Sequence, residues 1–299
     1  GTAHGPRRRR RKAGRRRIRE ALLIFDLYYL AEVLLNGLLA GGTYALIAVS
    51  MTVVFGVLKL MNFGHGALVT VGFYSAVIAG AWGIDPYLAI IPAAVVMAIV
   101  GLLVYYAFID TVITKPALSQ VVFTLGLGMA IEAIIEIVWT ANPRVAPSVL
   151  SGVFFIGDIM ISRPRAIGFA ASILLAVAFW ALLRWSWWGM AIRAVSQHDS
   201  AARLIGIPRA RTLALAFCIS VVAAVVAGLL IAPSITISPY AGHVFLGIAF
   251  GAVVIGTKGN VLGAFVGGLM VGLVEAAAIA ILGDDLKEAV IFGLILGYS

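Results

Sequence analysis

Charge is scarce in this chain. Of its 299 residues, 12% are charged and 62% are hydrophobic, and the mean hydropathy is +1.07. A soluble domain carries about 25% charged residues, so a soluble fold is excluded. Cysteine is scarcer still. Cys218 stands alone in an apolar run, without a partner for an internal disulfide or a thiolate metal set. The four histidines, His4, His65, His198 and His243, have no companion at the i+4 spacing of a helical metal site. No phosphate-binding loop is present. The stretch Gly251 to Lys258 ends Gly256-Thr257-Lys258, with Thr before Lys, whereas the motif needs Lys first to reach the terminal phosphates. Paired acids or metal ligands near a cytoplasmic face, which an intramembrane enzyme would need, are also missing. Short alternating strands, the mark of a membrane β-barrel, are absent too.

What the chain has instead is continuous apolar runs of about 20 residues, the length that spans a bilayer as helix. The sequence predicts an all-α, polytopic membrane protein with about eight transmembrane segments. They fall at residues 36–58, 67–82, 87–109, 118–141, 166–183, 212–232, 243–256 and 261–282. A final stretch from Leu286 to Ser299 is too short to cross. Residues 20–35 carry Glu20, Asp26 and Glu32 and read as an amphipathic helix in the interface.

The net charge of +9 is unevenly placed. Ten of the 22 basic residues lie between Arg7 and Arg19; the other 12 face 13 acids, leaving the body near −1. Residues 1–19 therefore read as a basic, disordered cytoplasmic tail meeting anionic lipid head groups, not nucleic acid. The positive-inside rule puts Lys115 and the stretch 184–211 in the cytoplasm and the loop 142–165 outside. Counting back through three crossings places the N-terminus outside, against its basic residues. Either residues 20–35 cross, or one early segment is discontinuous or re-entrant. The polar break Asn62-Phe63-Gly64-His65-Gly66 supports the second alternative, because such backbone is tolerated where it lines a cavity.

Polar residues at membrane depth are candidates for a pathway. They are Asn62 and His65 in the break, Glu132 (with Glu136 four residues on, on the same face) and Glu275. A local hydrogen bond holding the break, or a helix–helix hydrogen bond, explains each equally well at this point. Glycine pairs at four-residue spacing, Gly37/Gly41, Gly247/Gly251, Gly263/Gly267 and Gly268/Gly272, let helix backbones approach. Tight internal packing and a dimer interface both remain open for them.

One polar stretch stands out in the oily background. Ser196 to Pro208 follows an interfacial cluster of Trp185, Trp187 and Trp188 and is flanked by arginines. It reads as a short helix with Ser196 as N-cap, Asp199 as capping-box partner, Gly206 at C′ and Pro208 as the stop.

Several stretches together resemble the membrane permeases of branched-chain amino acid ABC importers and their urea-permease relatives. They are Asn36-Gly37 through Thr43-Tyr44-Ala45-Leu46; Met61-Asn62-Phe63-Gly64-His65-Gly66; Gly189-Met190-Ala191-Ile192-Arg193-Ala194; Ser238-Pro239-Tyr240-Ala241-Gly242; and Gly259-Asn260 with Gly263, Gly267, Gly268 and Glu275. They occur in family order over residues 30 to 299. Ser200-Ala201-Ala202-Arg203-Leu204-Ile205-Gly206 then looks like the Glu-Ala-Ala-x-x-x-Gly coupling motif. The resemblance implies that residues 20–299 form a permease domain in the cell inner membrane. It implies docking of Ser200, Ala201, Ala202, Arg203 and Gly206 onto separate ATPase subunits, which would hold ATP and Mg while this chain holds no cofactor. A second permease subunit and an extracytoplasmic solute-binding protein complete the implied assembly. Ser200 departs from the motif's Glu, Gly256-Thr257-Lys258-Gly259 departs from the family's Gly-Gly-x-Gly, and the family's Pro-Thr-Gly ending is missing. An ion-coupled secondary transporter or channel using the membrane carboxylates remains the rival reading.

Overall fold

The computed structural model describes residues 6–299 except 158, 257, 258, 284–288, 291, 292, 294–296, 298 and 299. Over 6–27 and at Ile156 it describes the backbone alone. Thr257 and Lys258, and most of the expected last segment, therefore lie outside the described residues.

The first element, α1 (Pro6–Val53), is one unbroken helix of 48 residues. No Gly or Pro interrupts residues 15–36, and strong helix formers fill them. A separate interfacial helix over 20–35 is therefore not formed, and the basic segment expected to be disordered is helical from Pro6. Once the membrane portion is helical, each added turn avoids the cost of nucleation. A π-type turn, Val54–Leu58, ends in Lys59 with φ 53. After the break comes α2 (His65–Ala81). Asp85 accepts from the Tyr87 amide and starts a 3₁₀ turn leading into α3 (Ile90–Val104) and the one-turn α4 (Asp110–Val112). The long α5 (Ala117–Trp139) follows. An antiparallel hairpin, β1 (Val153–Ile156) and β2 (Ile159–Ser162), pairs Val153 with Ser162. Then come α6 (Arg163–Trp185), α7 (Trp187–Gln197), α8 (Asp199–Leu204) and α9 (Arg209–Ile231). Last are α10 (Gly242–Ile255) and α11 (Val261–Leu282).

Among the described residues, six stretches are long and apolar enough to cross a membrane: Tyr28–Leu58, Pro86–Val112, Ala117–Trp139, Arg163–Trp185, Arg209–Ser234 and Val261–Leu282. The two shorter apolar helices, α2 and α10, fall at two further places the sequence marked as crossings but do not reach that length. The protein is a polytopic helical membrane protein.

The bundle is organised around α1 and α9, whose apolar windows are 72% and 83% buried; those of α3 and α6 are 17% buried and form the outside. Leaving lipid for a protein interior gains little from the hydrophobic effect, so close packing must hold such helices together. Glycine provides it. A Cβ on Gly72 of α2 would stand 2.1 Å from the Val225 carbonyl oxygen, and one on Gly228 of α9 2.2 Å from the Val69 carbonyl oxygen. Where α1 crosses α11, a Cβ on Gly268 would meet Ala45 Cα at 2.3 Å and one on Gly272 would meet Gly41 Cα at 2.4 Å. The spaced glycines Gly37, Gly41, Gly268 and Gly272 thus serve packing within the chain.

The two ends of the bundle differ. One carries the hairpin and the outer parts of α1 and α11. At the other, Val54, Leu58 and Leu60 pack with Ile192, Val195 and Ala202 under α8. Since α1 runs from the hairpin end toward α8, the basic segment precedes the hairpin end and stands opposite α8.

Candidate functional site

Among the described residues, helices are broken at two places inside the bundle, not at one. The first break, Lys59 to Gly64, precedes α2; the second, Ile235 to Ala241, precedes α10. The two short helices run in opposite directions from a common level. A Cβ on Gly66 would stand 2.5 Å from the Gly242 carbonyl oxygen, and the Gly242 amide donates to Thr70 Oγ1 at 3.1 Å. From there α2 runs to the hairpin end. Helix α10 runs to the other end, where Gly259 lies against Gly56. Two helix N-termini, each a positive dipole end, thus meet in the middle of the bundle.

Each break places a Gly-His pair at its helix start, Gly64-His65 and Gly242-His243. His65 is fully buried. Ser50 Oγ donates to the Ile47 carbonyl at 2.6 Å, so His65 Nε2, 2.8 Å from that Oγ, must be the donor to it. Ser220 Oγ of α9 donates to the Ser50 carbonyl at 2.7 Å. Asn62 Oδ1 accepts from the Gly64 amide at 3.1 Å, and Thr124 Oγ1 of α5 accepts from the Phe63 amide at 3.2 Å. Backbone amides freed by the break are answered by side chains, which is the condition for non-helical backbone at membrane depth. Asn62 and His65 hold the fold here.

The second break is open. The His243 side chain is 53% exposed, and its Nε2 lies 3.1 Å from Glu132 Oε2, whose side chain is 6% exposed. Tyr240 stacks on the His243 ring at 6.4 Å and donates to Glu136 Oε2 at 2.5 Å. Arg144 and Ile237 exchange backbone hydrogen bonds at 2.9 and 2.8 Å and anchor the start of the break. Thr124 and Glu132 are eight residues apart on α5, about 12 Å, so one helix supports both breaks. His243 and Tyr240 were not among the sequence candidates. The signal that could have found them is the repeated Gly-His at the start of a short apolar helix.

Glu275 is elsewhere. It lies toward the hairpin end of α11, in a cleft shared with Glu32, Asn36, Tyr44 and Arg165.

The polar helix between α6 and α9 also departs from its expected form. Ser196 belongs to α7, where its hydroxyl donates to the Arg193 carbonyl; the chain turns at His198, and α8 has no side-chain cap. Ser186 caps α7 instead, accepting from the Gly189 amide at 2.9 Å. Asp199 pairs with Arg203 Nη2 at 2.7 Å and Arg209 Nε at 3.0 Å. Those two guanidiniums hold its carboxyl below the usual carboxylate range, hydrogen bonding from Arg203 first. Gly206 does take the C′ position, at φ 86. Its amide donates to the Arg203 carbonyl and that of Ile207 to the Ala202 carbonyl, the paired bonds of a Schellman ending. Ala202 is 2% exposed and faces the bundle, so its small size serves internal packing; Ser200, Ala201 and Arg203 lie toward the outside. Leu204 and Ile205, 89% and 75% exposed, are the large apolar side chains this helix presents.

Residues 33–298 match the family described as branched-chain amino acid transport system / permease component. The chain is 32% identical to the high-affinity branched-chain amino acid transport system permease protein LivH of Escherichia coli (strain K12), over 90% of this chain and 92% of that one. It is 29% identical to the corresponding BraD protein of Pseudomonas aeruginosa, over 91% and 93%. It is 27% identical to a probable LivH permease of Methanocaldococcus jannaschii, over 85% and 82%. Among solved structures, PsaBC from Streptococcus pneumoniae in complex with Fab superposes with a TM-score of 0.47 at 11% identity, covering 89% of this chain and 90% of that one. The chain is thus a transport permease subunit and not an enzyme, and it belongs to the family of branched-chain amino acid transport system permease components.

Proposed function

We propose that this permease moves branched-chain amino acids across the inner membrane as part of an ATP-binding-cassette importer, by alternating access. The observation that supports it is the meeting of two half-helices in mid-bundle, with His243 and Tyr240 exposed beside the second and Glu132 buried behind His243. Charged groups at membrane depth belong to a water-filled path or a protein interface, not to lipid. A second permease subunit set against this face would close such a path between the two chains. A solute-binding protein delivers cargo at the hairpin end. ATP and Mg act on separate ATPase subunits that receive α8, with Leu204 and Ile205 as the inserted apolar contacts and Gly206 turning the chain back to the membrane. Asp199 is engaged by two arginines of this chain, and position 200 is Ser, so docking rests on shape rather than on an acidic contact.

The test is uptake in proteoliposomes. The chain assembled with its ATPases takes up leucine only with ATP and binding protein, and Leu204→Glu removes ATPase retention while the melting temperature holds. Leucine uptake by the chain alone, driven by an ion gradient, would contradict this reading and favour a secondary transporter.

A further inference from the structure

The cleft that contains Glu275 is a second polar feature of the molecule, separate from the two breaks. It opens at the hairpin end between α1, α6, α11 and the hairpin and has a volume of 450 Å³. That lies within the range of about 300–1,000 Å³ typical of small-molecule sites. Among the described residues, its wall carries one cation, Arg165, and two carboxylates, Glu32 and Glu275. Tyr44 hydrogen-bonds Glu275, and Asn36 lies one turn beyond Glu32 on the same helix, its amide held by the Glu32 carbonyl at 3.0 Å. The rest of the wall is apolar, with Val33 from α1, Val153 and Met160 from the hairpin and Ile279 from α11. Val153 pairs across the hairpin with Ser162, which together with Met160 also faces the cleft. Successive strand residues alternate faces, so this one hairpin face supplies both apolar and hydroxyl lining.

Opposite charges around an apolar-walled cleft define a ligand. A guanidinium binds a carboxylate through two parallel hydrogen bonds. Carboxylates accept from an ammonium, and an aliphatic side chain fills the apolar wall. We infer that this cleft is a binding site for a free zwitterionic α-amino acid. Arg165 takes the carboxylate, Glu32 and Glu275 take the ammonium, and Val33, Val153, Met160 and Ile279 surround an aliphatic side chain. The inference rests on the permease reading and deepens it, since it gives the chain its own recognition of cargo at the hairpin end, before the mid-bundle path. It also separates amino acids from urea, which carries neither a carboxylate for Arg165 nor an ammonium for the carboxylates.

The test uses the full chain in lipid nanodiscs, with tritiated leucine as probe. Leucinamide lacks the carboxylate and 4-methylpentanoate lacks the ammonium; each is expected to compete about tenfold or more weakly than leucine, the cost of one lost charge-assisted hydrogen bond. Arg165→Gln is expected to erase the preference for leucine over leucinamide, with the melting temperature unchanged. Val153→Trp, which fills the cleft from the exposed hairpin, is expected to abolish binding without touching a charge. Wild-type affinity and discrimination in both variants would overturn the assignment. So would leucine binding that disappears when phosphatidylethanolamine is added to the nanodisc, which would mark a lipid headgroup site. If both variants bind as wild type and the assembled importer still takes up leucine, the cleft assignment falls and the permease reading stands. If the assembled wild-type importer shows no ATP-dependent leucine uptake, both fall.

Discussion

The two breaks begin alike and end differently. Each delivers a Gly-His pair to the start of a short helix, and the two helix starts touch. Around His65 every face is protein, and α1, α5 and α9 all contribute to its shell or its neighbours'. Around His243 one side is Glu132 and Tyr240, and the other is open. The same local motif is therefore a structural lock in one place and an exposed polar group at membrane depth in the other. What separates them is the packing of α1, α5 and α9, not the residues themselves.

The difference can be broken at several strengths. The largest effect is expected where the backbones touch. Gly72→Leu puts a side chain into the α9 backbone beside Gly228 and should cost about 3 kcal/mol or more, seen as loss of the monodisperse peak in detergent. Next is a matched pair of histidine substitutions. His65→Gln must rebuild a closed network and should destabilise by about 2 kcal/mol, lowering the melting temperature. His243→Gln keeps a donor for Glu132 on an open face and should cost under about 1 kcal/mol, while leucine uptake falls about tenfold. Equal melting temperatures for the two would remove the distinction between the breaks.

The smallest effect concerns the α8 end. Asp199 has its folded pKa below the unfolded value of about 3.9. Its contribution is therefore present above that value and is lost as pH falls through the folded one. The pair is exposed and screened, so Asp199→Asn should cost under about 1 kcal/mol at pH 7. The difference should shrink as pH falls below the unfolded value. A melting-temperature difference between the two proteins that does not shrink on acidification would show that Asp199 acts through something other than its charge.

Much of this was readable from residue order. Continuous apolar runs marked the six helices of spanning length because bilayer thickness sets helix length. The Asn62 to Gly66 break showed itself by polar residues in an apolar context, and Gly206 by its position after a short polar helix. The second break was missed. Ser238-Pro239-Tyr240 lies between two apolar runs without a charged residue to mark it, and only the approach of Gly242 to Gly66 shows that the following helix starts inside the bundle. Segment 20–35 misled because its acids were weighed as if each met lipid, whereas Glu32 opens into the cleft with Arg165. The inward turn of Ala202 and the outward turn of Leu204 were also hidden, since a six-residue helix gives too short a pattern to assign a face.

The most direct test of the central claim is water accessibility at the two breaks. Cys218→Ser removes the one native cysteine, and His243→Cys and Ser50→Cys are then introduced singly and exposed to a membrane-impermeant thiol reagent in the assembled importer. The account predicts rapid labelling at 243, slowed by leucine, and none at 50. Labelling at both, or at neither, would contradict it.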